Sequence, residues 1–306
     1  MRAARIDRFG GLEVIEVRES EPPEPGADEV LVRVAAAGVG PWDGWIRAGK
    51  SVLPQPLPLT LGSDLSGTIL AVGSRVANLR VGEDVFGVTN PRFVGAQAEL
   101  AVASASMVAK RPSGLTDVQA ASMPVVAVTA LQMLFDHGKL APGQRVLIHG
   151  GSGSVGGYAV QLARRAGAHV IATETTSARR ESLDLGAHEL LTLDALDRVE
   201  QVDLVIDTVG GDAQTRSLAL LRHGGTLVSS VSAPDAEAAA RLRVSAQFML
   251  VDVTTRALQQ LAQWWEQGSL VTRVGAVLPL AEVRRAHEML EGLTPRPAGK
   301  IVLTVA

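Results

Sequence analysis

The chain of 306 residues contains no cysteine. That absence excludes disulfides, thiolate nucleophiles and every zinc site built on cysteine ligands. Aromatic residues are scarce at 3%, with a single tyrosine, Tyr158. A mechanism that needs a phenol has that residue or none. No apolar run approaches the roughly 20 residues that span a bilayer. Arg2 and Arg5 are followed by no apolar core, so the opening residues do not read as a secretory signal and a cytoplasmic location is expected. The formal net charge is −3 with acids and bases interspersed, and neither a nucleic-acid partner nor a membrane surface is expected. The six histidines, at 137, 149, 169, 188, 223 and 287, show no short-range pairing of the kind that holds a metal.

What is present reads as an ordinary globular protein, 46% hydrophobic and 20% charged, long enough for one large or two ordinary domains. Residues 29–35 alternate apolar and polar as a half-buried strand does, after the Pro-rich stretch 21–26. Residues 67–73 and 84–88 are further strand candidates, and the first 115 residues read as β-rich. Thr116 opens a helical stretch that it is suited to cap. From about residue 144 the pattern changes to short apolar strands, at 145–149, 169–173, 202–207 and 225–230, alternating with helices at 155–166 and 178–185. Such alternation indicates a parallel sheet covered on both faces. Helices at 257–268 and 281–291 and a strand at 300–304 close the chain.

Gly151-Ser152-Gly153-Ser154-Val155-Gly156 spells a G-x-G-x-x-G turn. Alone the pattern is weak, but here it leaves a strand and opens a helix, the setting in which it binds a dinucleotide. Gly151 is expected to allow the tight turn, Gly153 to let backbone amides approach a pyrophosphate, and Gly156 to let helix and strand pack closely. The unpaired N–H groups of the helix start then face the phosphates. Glu174 and Thr175 end the second strand, 18 and 19 residues past Gly156, where an acid accepts hydrogen bonds from the ribose of NAD. Arg179 and Arg180 follow, where a guanidinium holds the 2′-phosphate of NADP. The two signals conflict, and solvated loop charges are a third reading of the same residues.

Residues 36–43, 61–67, 72–76, 81–87, 127–131, 207–211 and 298–303, together with the glycine turn, resemble the zinc-independent medium-chain dehydrogenase/reductases, especially their quinone oxidoreductase branch. The likeness runs nearly the full length. It implies a Rossmann doubly wound parallel sheet, residues 118–266, inserted into a chaperonin-10-like, partly open β-barrel domain of residues 1–117 and 267–306. A cleft between the two domains is expected to hold the nicotinamide. The resemblance further implies cofactor contacts at Thr129, Thr208, Val209, Gly210 and Val231, although Thr129 also reads as a threonine bonded within its own helix. At the positions of the catalytic zinc ligands of the alcohol dehydrogenases stand Gly40 and Ser63, with Val125 near the third.

Without a Lewis acid, acceptors must already be electrophilic. Hydride transfer from NADPH, with NADH as the alternative, to quinones or α,β-unsaturated carbonyls is the expected reaction, and a homodimer is the expected assembly. Candidate catalytic residues are Thr129, Ser63 as an oxyanion donor, Asp43, and Trp45 as a pocket wall. Asp64 reads as structural. The asparagine and tyrosines that quinone reductases often carry near Gly40, Trp45 and Ser51 are absent. That departure keeps two alternatives open: an enoyl-thioester reductase and a non-catalytic NAD(P)H-binding redox sensor.

Overall fold

The computed structural model describes residues 1–174 and 181–305. Its contacts divide into two units: residues 1–125, 253–266 and 272–306, and residues 126–252 with 267–271.

The first unit begins with strands β1 (Arg2–Ile6), β2 (Glu16–Glu19), β3 (Glu29–Val39), β4 (Leu59–Thr60), β5 (Asp64–Val72), β6 (Asp84–Val88), β7 (Leu100–Ser104) and β8 (Val108–Lys110). β3 first alternates, burying Val30, Val32 and Val34, and then runs fully buried through Ala36, Ala37 and Val39. Small residues are required there: a Cβ on Gly38 would lie 2.6 Å from the Ala121 carbonyl oxygen. Helix α1 (Pro41–Arg47) follows β3 directly. Helix α2 (Asp117–Ala121) carries a reciprocal cap: Thr116 Oγ1 accepts from the Gln119 N–H, and Gln119 Oε1 accepts from the Thr116 N–H. The division between the units falls in the first turn of α3 (Pro124–Leu131).

The second unit holds β9 (Arg145–His149), β10 (His169–Thr173), β11 (Glu189–Leu191), β12 (Val202–Asp207), β13 (Leu221–Ser229) and β14 (Ser245–Phe248). They form one sheet in the order β11-β10-β9-β12-β13-β14, with every pair parallel. Val146 to Ile148, Val170 to Ala172 and Leu204 to Ile206 are buried without interruption, as a sheet covered on both faces demands. Helices α4 (Ser154–Arg165), α5 (Glu181–Asp184), α6 (Gly211–Ser217) and α7 (Ala236–Leu242) are interleaved with the strands. The strand order reverses at β9, so the loops after β9 and β12 flank a crevice at the carboxyl ends of the strands.

The chain then returns to the first unit through α8 (Thr255–Glu266), β15 (Val274–Pro279), α9 (Val283–Leu290) and β16 (Lys300–Thr304). β16 pairs antiparallel with β3, completing a sheet in the order β15-β16-β3-β5-β6-β8, with β7 also on β3. The contact division departs from the expected boundaries of 118–266. Residues 118–125 and 253–266 group with the first unit. For α8 the cause is its start: Thr255 donates its N–H to the Ser106 carbonyl at 2.8 Å and its hydroxyl to the Val108 carbonyl at 2.7 Å. Residues 267–271 belong instead to the second unit, where the Val271 N–H donates to Gln161 Oε1 at 2.8 Å.

One buried cluster fixes α1 against α9. Arg47 donates Nη1–H to His287 Nδ1 at 3.1 Å, donates Nε–H to the Gly10 carbonyl, and pairs with Glu291. Because a guanidinium only donates, His287 accepts at Nδ1 and is a neutral imidazole. Burial, with Arg47 beside it, pushes its pKa from 6.5 down to about 3. The unfolded chain therefore takes up this proton first, so the stability is complete above about pH 6.5 and is lost as pH falls toward 3. Replacing His287 by Asn keeps an acceptor near Nδ1 and removes the titration. Urea unfolding of His287→Asn should lose about 2 kcal/mol less than the parent between pH 7 and about pH 5. An identical acid loss in both proteins refutes this account.

Candidate active site

The crevice of the second unit is built mostly from backbone. Gly150 takes φ 71°, so the glycine that turns the chain is Gly150, one residue before the pattern begins. Gly151 is small for another reason: a Cβ there would overlap Ser182 Oγ and lie 2.8 Å from the Ala172 Cβ. Gly156 carries the closest approach, since its Cβ would overlap the Gly150 carbonyl oxygen. Gly153 is less crowded, with a Cβ 3.0 Å from that same oxygen. It is the N-cap of α4 and supplies no capping side chain. The first N–H groups of α4, from Ser154, Val155 and Gly156, are thus left for an external anion, and Ser152 precedes them on the turn.

Beneath the turn lies His149, fully buried at the end of β9. Ser217 Oγ donates to the Ala213 carbonyl, so it accepts from His149 Nε2 at 2.6 Å. Thr173 Oγ1 accepts the Gly150 N–H and donates to His149 Nδ1 at 3.1 Å. Both contacts require the neutral Nε2–H tautomer, and burial pushes the pKa down to about 4. The loop after β12 is tied as firmly. Asp207 Oδ1 accepts the N–H groups of Val209 and Gly210, and Oδ2 accepts from Gln214 and Ser229. Thr208 donates its hydroxyl to the His149 carbonyl at 2.7 Å. Val209 and Val231 are left 45% and 36% exposed, the combination of a held backbone and a free apolar side chain that suits a pocket wall.

Glu174 is buried at the end of β10 and turned inward. Its Oε1 accepts the Ser182 N–H at 2.7 Å and the Ser182 hydroxyl, so the carboxylate caps the start of α5. Its Oε2 has no hydrogen-bond partner among the described residues. Thr175, Arg179 and Arg180, expected at the ribose, lie outside the described residues.

In the first unit the structure gathers Asp43, Ser63, Asp64, Trp42 and Lys300. Lys300, only 3% exposed, pairs with Asp64 Oδ2 at 2.7 Å, and Asp64 Oδ1 accepts the Val125 N–H at 2.9 Å. The ammonium also sits 4.1 Å from the centroid of the Trp42 ring. On its edge the indole donates Nε1–H to Ser63 Oγ at 3.1 Å. Asp43 Oδ2 accepts the Gly40 N–H at 2.8 Å, while Oδ1 has no partner among the described residues. Burial pushes Asp43 up to about 7, against the Gly40 N–H and Lys300, which favour the charged form.

Of the expected catalytic residues, Asp43 and Ser63 are brought together but sealed from solvent. Ser63, expected as an oxyanion donor, accepts the indole N–H of Trp42 and so helps to hold that ring. Trp45 is 47% exposed on α1, and Thr129 is 5% exposed on α3. Trp42 and Lys300 were not anticipated, and nothing in their local spacing marks them. The residues do not fit a zinc ion. Gly40, Ser63 and Val125 offer no set of metal donors, and no cluster of three His, Asp or Glu side chains exists among the described residues.

Residues 26–113 match the alcohol dehydrogenase GroES-like domain, and residues 168–303 match the zinc-binding dehydrogenase family. The chain is 32% identical to the quinone oxidoreductase of Homo sapiens, over 94% of this chain and 93% of that protein. Among solved structures it superimposes on the quinone oxidoreductase of Coxiella burnetii with a TM-score of 0.92, at 32% identity over 100% and 99% of the two chains. It also superimposes on the Escherichia coli quinone oxidoreductase complexed with NADPH, with a TM-score of 0.89, at 25% identity over 99% and 100%.

The glycines separate folding from binding. Gly156→Ala should destabilise the unliganded protein by about 1–3 kcal/mol, because backbone must move to admit the methyl group. Gly153→Ala should melt close to the parent yet bind NADPH about tenfold or more weakly. Thermal melts and fluorescence titration of both variants check the ranking, and equal effects at the two positions would refute it.

Proposed function

The chain belongs to the medium-chain dehydrogenase/reductase superfamily, in its quinone oxidoreductase-like branch, and on that premise we propose how its own residues carry the activity. It is an NAD(P)H-dependent oxidoreductase that reduces quinones. The observation that carries the reading is the uncapped start of α4 behind the glycine turn of residues 150–156, a site for a pyrophosphate in a chain akin to quinone oxidoreductases over nearly its whole length. Neither the enoyl-thioester reductase nor the redox sensor is favoured by these relatives.

Bound NAD(P)H supplies the hydride, so a quinone plus one proton is converted to the hydroquinone. The protein's part is binding and orientation. The N–H groups of Ser154, Val155 and Gly156 hold the pyrophosphate, with Gly151, Ser152 and Gly153 shaping the turn. The loop Thr208, Val209, Gly210, fixed by Asp207, and Val231 bound the rest of the cofactor, and Thr129 meets its nicotinamide end. Trp45 walls the acceptor pocket. Ser63 acts through the Trp42 ring whose N–H it accepts, and Asp43 through the Gly40 N–H at the start of α1. The reaction needs no zinc, and α,β-unsaturated carbonyls are a second class of acceptor because they too are electrophilic unaided. The proton comes from solvent.

NADP(H) is the preferred cofactor. The inward turn of Glu174 onto Ser182 supports this, because it withdraws the carboxylate that would repel a 2′-phosphate. Arg179 and Arg180 supply the countercharge, and Thr175 joins them in contacting the cofactor. The protein acts on small molecules as a cytoplasmic homodimer, without nucleic acid or membrane as partner. No helix among the described residues is long and apolar enough to cross a membrane. β14 leaves one edge of the second unit's sheet for a twin. A single species at the mass of one chain in sedimentation equilibrium would overturn the dimer.

Fluorescence titration should give NADPH a Kd at least about tenfold below that of NADH, roughly 1.4 kcal/mol. Arg179→Ala with Arg180→Ala should erase most of that gap while leaving NADH binding nearly unchanged. Tighter NADH binding refutes the preference. A panel of quinones, enones and crotonyl thioesters tests the reaction: NADPH oxidation by the thioester alone, or by none, sinks the quinone reading.

A further inference from the structure

At Gly40 and Ser63, the positions that the resemblance to the alcohol dehydrogenases gives to zinc ligands, the structure shows what stands instead. We propose that Trp42 is a specificity-determining residue: its indole fills the room that metal-ligating side chains at positions 40 and 63 would need. It thereby bars a divalent cation and confines the enzyme to acceptors that are electrophilic without one. The second half of this inference rests on the quinone reading above; the first half does not.

Three independent observations carry it. The first is steric. A Cβ on Gly40 would overlap the Cη2, Cζ3 and Cζ2 atoms of Trp42, so no side chain enters at position 40 while the ring is in place. The second is the hydrogen bond. The same ring donates Nε1–H to Ser63 Oγ at 3.1 Å, so one rigid indole touches both ligand positions and spans the space from one to the other. The third is charge. Lys300 Nζ lies 4.1 Å from the ring centroid, and its counterion Asp64 is committed, through Oδ2 to the lysine and through Oδ1 to the Val125 N–H. A dication in the ring's place would meet that ammonium ion, whose paired carboxylate Asp64 is already engaged through both oxygens.

The ring is a fixed plug rather than a loosely placed side chain. Its edge is bonded to Ser63, one face is covered by a buried cation, and the ring rests on Gly40. It packs as a half-buried side chain against the cluster that includes Ile46, Leu59, Leu61 and Ile301. What the alcohol dehydrogenases gain from a Lewis acid, polarisation of an unactivated carbonyl, is therefore closed to this chain by construction. Simply restoring the ligands would not restore the metal.

Cobalt titration of two variants tests this, with visible absorption reporting thiolate ligation. Gly40→Cys/Ser63→His/Val125→Cys, with the indole retained, should bind cobalt no better than the parent. The same triple substitution with Trp42→Ala added should bind about one cobalt per chain, at least about tenfold more tightly. Equal behaviour of the two, whether both bind or neither does, overturns the proposal. Thermal melts of Gly40→Ala, Trp42→Ala and the double variant decide the steric claim in chains without new ligands. Gly40→Ala should cost markedly less stability once the indole is gone, and strictly additive losses overturn the claim. In the parent protein, added zinc should leave the ratio of quinone to simple aldehyde reduction unchanged, and zinc-stimulated aldehyde reduction overturns the specificity role. Absence of quinone turnover would defeat the functional reading alone, because neither cobalt uptake nor melting depends on it.

Discussion

A lysine ammonium that is 3% exposed must find its anion inside the protein, and the arrangement of the first unit follows from that requirement. Lys300 opens β16, the strand that returns from the far end of the chain to pair with β3. Its counterion, Asp64, opens β5, which also pairs with β3. The ion pair therefore ties together β16 and β5, two of the strands paired with β3, and the second carboxylate oxygen fixes the start of α3 through Val125. Such a pair is weak evidence for net stability, since desolvation offsets most of the attraction. Its effect is on arrangement. With the ammonium fixed, the electron-rich face of Trp42 has one favourable place, and that place puts the indole N–H on Ser63.

The second unit solves the opposite problem, since a pyrophosphate brings negative charge. No acidic side chain stands at the start of α4, and no side chain caps it. Two acids of this unit are engaged by protein donors. Asp207 spends its two oxygens on four donors that hold the loop after β12, and Glu174 is drawn onto α5. His149 contributes no charge either, because its two partners require the neutral tautomer. At the start of α4 the described residues offer backbone dipoles, an arrangement that binds phosphate.

The second unit was the more legible of the two in the sequence. Its central strands carry short uninterrupted apolar runs, at 146–148, 170–172 and 204–206, and the expected 145–149, 169–173 and 202–207 coincide with β9, β10 and β12. The edges were not read. β11 has three residues and β14 four, too short and too mixed to show a period. β13 begins at Leu221 rather than 225, because the pairing with β12 starts before the Gly224-Gly225 break. The glycine pattern located the phosphate turn but misassigned the residue that turns it: the positive φ belongs to Gly150, which lies outside the motif. In the first unit the ligand positions were legible as absences, Gly40 and Ser63. Their replacement was not, because Trp42 and Lys300 are 258 residues apart and only the β16–β3 pairing brings them together.

Glu174 shows why spacing alone does not assign a role to an acid. Eighteen residues past the last glycine of the turn, a carboxylate at the end of β10 has two sets of donors within reach. One is the ribose of a bound cofactor, and the other is the unpaired N–H group in the first turn of the next helix. Here Ser182 presents its N–H and its hydroxyl to one oxygen of that carboxylate, Oε1. A hydroxyl also fits because Gly151 has no Cβ, which would otherwise overlap Ser182 Oγ. The glycine that opens the phosphate-binding pattern thus makes room for the residue that turns the acid inward. In this chain the tight turn and the placement of Glu174 are one packing solution, which the acid's position in the sequence does not reveal.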